Sequence, residues 1–242
     1  MELRGRVAVI TGGSRGLGRE IARQFAERGA RLVLVAREAG ALQQAADELA
    51  RVTDVLALSA DVGEEAEQIA DAALKRFGRV DVLINNASEI GPSPMPALEA
   101  YPWDALLRVL RINAVAPLHL TQLLLPQMKA RHEGVIINVT SDAGVQAYPG
   151  WGGYGASKAA LEHLSRTLAA ELDSSGIRVY VVDPGDMNTQ MHRLAEPGVD
   201  LSGLPGPHVP APAFMQLVEQ EDTPSGRFEA IRMITPLEAG TR

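Results

Sequence analysis

The stretch "VAVITGGSRGLG", Val7 to Gly18, runs five apolar or β-branched residues straight into a glycine-rich turn and then into a helical pattern. A buried strand that meets glycines and a helix start at once is the opening βα unit of a nucleotide-binding α/β fold. Gly12, Gly16 and Gly18 permit the tight turn, bring backbone N–H groups toward a pyrophosphate and let the helix pack closely on the strand. Ser14, Arg15 and Leu17 complete the candidate cofactor turn. Its spacing departs from G-x-G-x-x-G, and an ordinary βα turn also favours glycine, so the flanking strand and helix carry the weight of the reading.

Working outward, short β-branched runs recur between longer helical patterns: "RLVLVA" 31–36, "VLALSA" 55–60, "VDVLINN" 80–86, "GVIINVT" 134–140 and "IRVYVVD" 177–183. Their apolarity is continuous rather than alternating, which requires cover on both faces of a parallel sheet. The pattern predicts one Rossmann-like domain over 1–242, a doubly wound parallel sheet in a three-layer α/β/α arrangement. A helix expected over 101–128 is apolar almost all round, through Leu106, Leu107, Leu110, Val115 and Leu118 among others, and Pro117 should kink it. Its second apolar face meets either neighbouring helices or another subunit; the subunit reading is preferred and predicts a homodimer or homotetramer. Past Asp183 the regularity fails. The Pro/Gly-rich segment 186–210 is expected to form a substrate loop, followed by a short helix at 211–220 and a strand at 227–233.

Composition narrows the chemistry. The chain has 242 residues, 46% hydrophobic and 22% charged, with a net charge of -7 and no basic cluster, so no nucleic acid is expected as a partner. Absence of cysteine removes thiol chemistry, and His119, His132, His163, His192 and His208 lack zinc-ligand spacing, so no metal is expected. The N-terminus does not read as a signal peptide, and no segment approaches the ~20 apolar residues of a membrane span. A soluble cytoplasmic protein with a small-molecule substrate is the expectation.

The end of the second strand speaks to the cofactor. It reads Ala36-Arg37, with no acidic residue at 36 or 37 to bind ribose hydroxyls. Arg37, with Arg15 and Ser14, offers donors suited to a 2′-phosphate, so NADP(H) is expected over NAD(H). Asp61, with Val62 beside it, either accepts a hydrogen bond from the adenine amine or caps a helix beginning near Glu64.

In "WGGYGASKAALEHL", 151–164, Tyr154 and Lys158 stand four apart and share a helix face. A phenol is a weak acid at neutral pH, so chemistry on Tyr154 needs a nearby cation to stabilise its anion, and Lys158 is placed for that; its ammonium can also hold ribose hydroxyls. Alone, the pair reads as an ordinary surface turn. Ser141, at the carboxyl end of the fifth strand, adds a hydroxyl for the same carbonyl oxygen, or else caps a turn. The small residues around Tyr154 are expected to leave room for a nicotinamide ring and a carbonyl. Asp142, Tyr148, Trp151, Met187, Met191 and His192 are candidate substrate contacts.

Thr11-Gly12-x-x-x-Gly16-x-Gly18, Asn85-Asn86-Ala87, Asn113, Ser141, Tyr154-x-x-x-Lys158 and Pro184-Gly185-x-x-x-Thr189 together resemble the short-chain dehydrogenase/reductase family over nearly the whole chain. The resemblance implies a Ser-Tyr-Lys-Asn active site. Tyr154 would be the general acid/base, Ser141 would orient the carbonyl, Lys158 would lower the tyrosine pKa, and Asn113 would hold a water in the proton relay. It also implies that Asn86 contacts the adenosine side of the cofactor and that Thr189, with Pro184-Gly185, holds the carboxamide. The implied activity is NADPH-dependent reduction of a ketone or aldehyde, reversible in direction, with pterin or 3-oxoacyl reduction as narrower possibilities. A nucleotide-sensing regulator on the same fold is the alternative; such proteins commonly lack the tyrosine or lysine. Two positions depart from the family pattern: Ser88 replaces glycine after Asn85-Asn86-Ala87, and the ending "ITPLEAGTR" lacks the usual Asp-Gly-Gly.

Overall fold

The computed structural model describes residues 1–234. Seven parallel strands form one sheet: β1 (Val7–Thr11), β2 (Arg31–Ala36), β3 (Val55–Ser59), β4 (Val82–Asn85), β5 (Gly134–Val139), β6 (Ile177–Asp183) and β7 (Gly226–Glu229). They lie in the order β3-β2-β1-β4-β5-β6-β7, so the winding reverses between β1 and β4. A crevice opens at such a switch point, outside the carboxyl ends of the strands, where open α/β sheets bind ligands.

Helices α1 (Gly16–Glu27), α2 (Ala39–Leu49), α3 (Ala66–Phe77), α4 (Trp103–Leu110), α5 (Ala116–Arg131) and α6 (Gly152–Glu171) connect the strands. Short helices α7 (Gln190–Ala195), α8 (Ala211–Glu219) and α9 (Ala230–Ile234) follow. The five inner strands bury both faces, as their unbroken apolarity demanded, while the edge strands β3 and β7 are only half-buried: Ala8 and Ile10 of β1 join Ile21, Phe25, Leu34 and Phe214, while Val7 and Val9 join Ile69, Leu83, Leu120 and Ile136. The doubly wound three-layer architecture expected from the sequence is what the chain adopts.

Several boundaries differ. The long helix runs from Trp103 to Arg131 and is broken by a π turn at Arg111–Val115, immediately before Pro117. Proline lacks the N–H that an α-turn would bring to the Asn113 carbonyl, so the disturbance falls one turn ahead of the ring. Helix α3 starts at Ala66 rather than near Glu64, with Asp61 accepting from the Gly63 N–H in the preceding turn. Segment 186–210 is not wholly irregular, since Thr189 accepts from the His192 N–H and caps α7. The strand expected over 227–233 ends at Glu229 and passes into α9. Its partner β6 stops opposite, in the pair Asp183↔Glu229, before Pro184, so no ladder remains to extend it. The C-terminal ending 235–242 lies outside the described residues. No helix among the described residues is long and apolar enough to cross a membrane.

Candidate active site

The sheet edge supplies a cleft of about 880 Å³, bounded by the β1–α1 turn, the ends of β2 to β6, the start of α6 and α7. Among the expected cofactor and substrate residues all but Gly18 line it, and of the expected reacting residues Ser141, Tyr154 and Lys158 do so. A hollow of about 1030 Å³ opens on the opposite side of the molecule, among Arg131, Arg166, Asp173 and Arg178, and holds none of these groups.

Gly18 and Asn113 act from behind the wall. A Cβ at Gly18 would lie 2.4 Å from the Gly12 carbonyl oxygen and 2.5 Å from Asn86 Nδ2, so its glycine permits α1 to seat on the turn. Gly16 has φ 54°, a left-handed conformation that favours glycine, and only Thr189 nearby at 3.9 Å. Helix α1 has no side-chain cap, which leaves its first N–H groups for an anion in the cleft. Thr11 Oγ1 accepts from the N–H groups of Asn86 and Ala87, both at 3.0 Å, and Asn86 Nδ2 donates back to the Thr11 carbonyl at 2.9 Å. The Asn86 side chain is thus spent on holding the β1 and β4 ends together, and only its remaining groups face the cleft.

At the end of β2, Arg37 is half-exposed and stands 3.9 Å from Asp61 and 3.7 Å from Glu89. Arg15 pairs with Glu38 at 3.0 Å and with Gln190. Glu38 also accepts from the Ala41 N–H and caps α2. This carboxylate, one position beyond the two inspected in the sequence, was missed there although it was in plain view. The residues fit a nicotinamide dinucleotide: a glycine turn without filler and an uncapped helix start, with two guanidinium groups beside the β2 end.

Helix α6 carries the expected reacting pair. Tyr154 is 8% exposed and Lys158 2%. The Lys158 ammonium sits 5.4 Å from the Tyr154 ring centroid and donates to the Val139 carbonyl at 2.8 Å. Burial pushes the Lys158 ammonium down to about 7, opposed by the carboxylates of Asp183 and Glu162. Burial also pushes the Tyr154 phenol well above its ordinary value, against smaller favourable contacts from Ser88 and Ser141. Loss of water outweighs the two serine hydroxyls, and the carboxylates of Asp183 and Asp142 push the phenol the same way. Tyr154 is held as a protonated acid.

Ser141 takes the capping role weighed for it. Its hydroxyl accepts from the Ala143 N–H at 3.2 Å, capping the short turn Asp142–Gly144, and donates to Asp142 at 3.0 Å while also reaching Tyr154. Ser88 was seen in the sequence as a departure but not as a contact; it touches Tyr154 and donates to Asn113 Oδ1 at 3.1 Å. Asn113 lies on the π turn and is 1% exposed. Its Oδ1 accepts from Ser88 and from the Glu89 N–H at 2.8 Å, and its Nδ2 donates to the Glu89 carbonyl at 2.8 Å and to Ser157 at 2.9 Å. Both donors and both acceptors are engaged by protein, so the side chain has none to spare for the expected water.

The small residues around Tyr154 have a different cause from the one expected. A Cβ on Gly152 would lie 2.5 Å from Leu98, one on Gly153 2.3 Å from Tyr101, and one on Gly155 2.5 Å from the Ala143 carbonyl oxygen. Protein, not ligand, fills that space. Toward the mouth, Trp151 packs edge-on against Tyr154 at 5.8 Å and His192 at 6.4 Å, and Ile90, Met95, Ala143 and Met191 complete an apolar wall. His192 pairs with Glu196 at 3.1 Å, and Tyr148 donates to Asp142 at 2.7 Å. Met187, although it reaches the cleft, packs into the main core instead.

Beneath Lys158 lies a polar group that the sequence reading did not assemble. Asp183 accepts from the Gly185 N–H at 2.9 Å, Arg227 reaches Asp183 at 3.0 Å and Glu162 at 3.1 Å, and Thr140 donates to Glu162 at 2.8 Å. Of these, Glu162 was within reach of sequence reasoning, since it stands four residues after Lys158 on the same helix face.

Comparison with known proteins bears on the family and the fold. The family model for short chain dehydrogenase matches residues 6–199. A 3-oxoacyl-[acyl-carrier-protein] reductase of rhamnolipid biosynthesis from Pseudomonas aeruginosa is 40% identical over 202 residues, 79% of this chain and 76% of that protein. The 7α-hydroxysteroid dehydrogenase of Escherichia coli is 35% identical over 192 residues, 78% of this chain and 74% of its own. Among solved structures, a short chain dehydrogenase from Shigella flexneri complexed with NADP superposes with a TM-score of 0.85 at 29% identity, covering 95% of this chain and 98% of that one. A matching model over most of the sequence, relatives aligned along most of their length and a shared fold establish that the chain belongs to the short-chain dehydrogenase/reductase family of oxidoreductases.

Proposed function

We propose that the protein is an NADPH-dependent carbonyl reductase of the cytoplasm, with Tyr154 as its proton donor. The observation that carries this reading is the buried Tyr154 phenol, kept protonated beside Lys158 and flanked by two serine hydroxyls, in the same cleft as the glycine turn. A bound reduced nicotinamide supplies the hydride. Ser141 and Tyr154 together bind the carbonyl oxygen, which polarises the carbon and fixes its distance to the phenol. Tyr154 gives up its proton as charge develops on that oxygen, and Lys158 stabilises the resulting phenolate. Asn113, through its backbone carbonyl, is the group proposed to hold the water that resupplies the proton. Asn86, Pro184, Gly185 and Thr189 hold the cofactor from either side of the switch point. The apolar wall of Trp151, Met191 and Ile90 suits a ketone with an apolar body, within which 3-oxoacyl and steroid ketones both fall. A regulator without chemistry would not need the phenol, the ammonium and two hydroxyls brought together at one point. Mixing the protein with NADPH and a panel of ketones while following nicotinamide absorbance tests the reading; ketone-dependent loss of NADPH is expected, and none with any ketone contradicts it.

Preference for NADPH rests on Arg37 and Arg15, and NADP-bound relatives of the same fold support it. The exposed Arg15–Glu38 pair contributes little, so exchanging Glu38 for a cofactor phosphate costs little. Arg37→Asp is expected to lower kcat/KM for NADPH by about 10- to 100-fold, the loss of one charge-assisted hydrogen bond, while NADH is affected much less. An unchanged ratio between the two cofactors would count against it.

We also infer a homo-oligomer built on α4 and α5. Trp103, Leu107 and Val115 are 75%, 57% and 55% exposed along one outer stripe, a costly arrangement for a helix pair facing water. Replacing Trp103 and Leu107 together by Glu should convert a dimer or tetramer to monomer in light scattering. The same mass before and after would remove this interface.

A further inference from the structure

Four elements meet below Lys158. Its ammonium is fixed on the Val139 carbonyl at the end of β5. The next residue, Thr140, donates to Glu162, which stands one helical turn beyond Lys158 on α6. Asp183 ends β6, whose Val182 pairs with Val139 across the sheet. Both carboxylates are almost fully buried, with side chains 4% and 9% exposed, and each is met by the same guanidinium, Arg227 of β7. The Arg227 Nε binds Glu162 and its Nη2 binds Asp183, while Nη1 lies 3.6 Å from Glu229 at the rim.

We propose that Arg227 is a positioning residue for Lys158: by clamping Glu162 and Asp183, it sets how firmly the lysine holds its proton beside Tyr154. The inference rests on the reading of Tyr154 and Lys158 as the reacting pair. The groups that face Lys158 are Tyr154 and Glu162 from its own helix, Asp183 from β6 and, behind the carboxylates, Arg227 from β7. Two buried anions would hold the ammonium strongly protonated. One shared cation offsets them, so that a lysine deprived of water loses its proton more readily. The same clamp ties Asp183 to the Pro184-Gly185 turn, which joins the lysine's surroundings to the cofactor side of the cleft.

Lysine carbon labelling reads this directly, because Lys75, Lys129 and Lys158 are the lysines of the chain and a Lys158 substitution assigns the buried one. In a ¹³Cε NMR titration of the full-length protein, Arg227→Gln should raise the Lys158 midpoint by about one pH unit, Glu162→Gln should lower it by about as much, and Arg227→Lys should restore it. The basic limb of ketone reduction should move with the midpoint. Loss of packing alone would not move two variants in opposite directions, and a midpoint that does not rise in Arg227→Gln would overturn the proposal, whatever Glu162→Gln does. The titration is read without cofactor or ketone, so failure of the carbonyl-reductase reading appears as absent turnover, and failure of the clamp as an unmoved midpoint.

Discussion

Tyr154→Phe should lose at least about three orders of magnitude in ketone reduction while binding NADPH as the parent protein does. The substitution removes one oxygen and leaves the ring, so the edge-on contact with Trp151 and the apolar wall persist. What disappears is a proton donor and one of two hydroxyls on the carbonyl oxygen. Each effect is typically about 10²–10⁴ in rate, and they act on the same atom, so a loss above 10³ follows without a change in fold. Ser88 and Ser141 remain, but a serine hydroxyl without a neighbouring base is a weaker acid than the phenol and cannot replace it. Equal thermal stability and equal cofactor binding, measured alongside turnover, separate lost chemistry from lost structure.

Lys158→Met should abolish turnover to a similar degree and yet make the protein more stable below neutral pH. An unfolded lysine keeps its proton to about pH 10.4, whereas burial brings Lys158 down to about 7. Between those values the unfolded chain binds a proton that the folded one does not. Folding is therefore penalised most below about pH 7, where the buried group must be charged, and the penalty fades as pH rises toward the unfolded value. Methionine fills the same space without that charge, at the loss of the bond to the Val139 carbonyl. A net gain of roughly 2–4 kcal/mol at pH 6 is expected, shrinking steadily toward pH 10. A variant no more stable than the parent at pH 6, or one whose gain does not depend on pH, would show that the ammonium is not a stored cost of function.

The fold was legible because its signals are local. Five apolar residues of β1 running into glycines, and strands apolar on both faces, declare a parallel sheet without reference to anything distant. Tyr154, Lys158 and Ser141 were legible for a related reason, as a helical spacing and a strand end that the topology carries to one edge. Contacts between remote segments were not. Arg227 lies 65 residues from Glu162 and 44 from Asp183, and nothing around "SGRFE" announces that its guanidinium reaches both carboxylates beneath Lys158. The glycines before Tyr154 were read as space for a ligand because Leu98 and Tyr101, which fill that space, come from a loop more than forty residues upstream. Asn113 shows a third case: its identity was recognised, but that its side chain would be fully occupied depended on Ser88, Glu89 and Ser157 converging on it. The strand that became α9 failed for want of a partner, a property of β6 rather than of its own residues.

Hydride transfer to a carbonyl carbon is the claim on which the rest stands, and isotope labelling tests it most directly. Reduction of a ketone with NADPH deuterated on the transferred position, followed by mass spectrometry and NMR of the alcohol, should place one deuterium on the carbinol carbon and a solvent-derived proton on its oxygen. Cofactor that binds in the cleft yet stays reduced with every ketone offered, or an alcohol whose carbinol carbon carries no label, would contradict it.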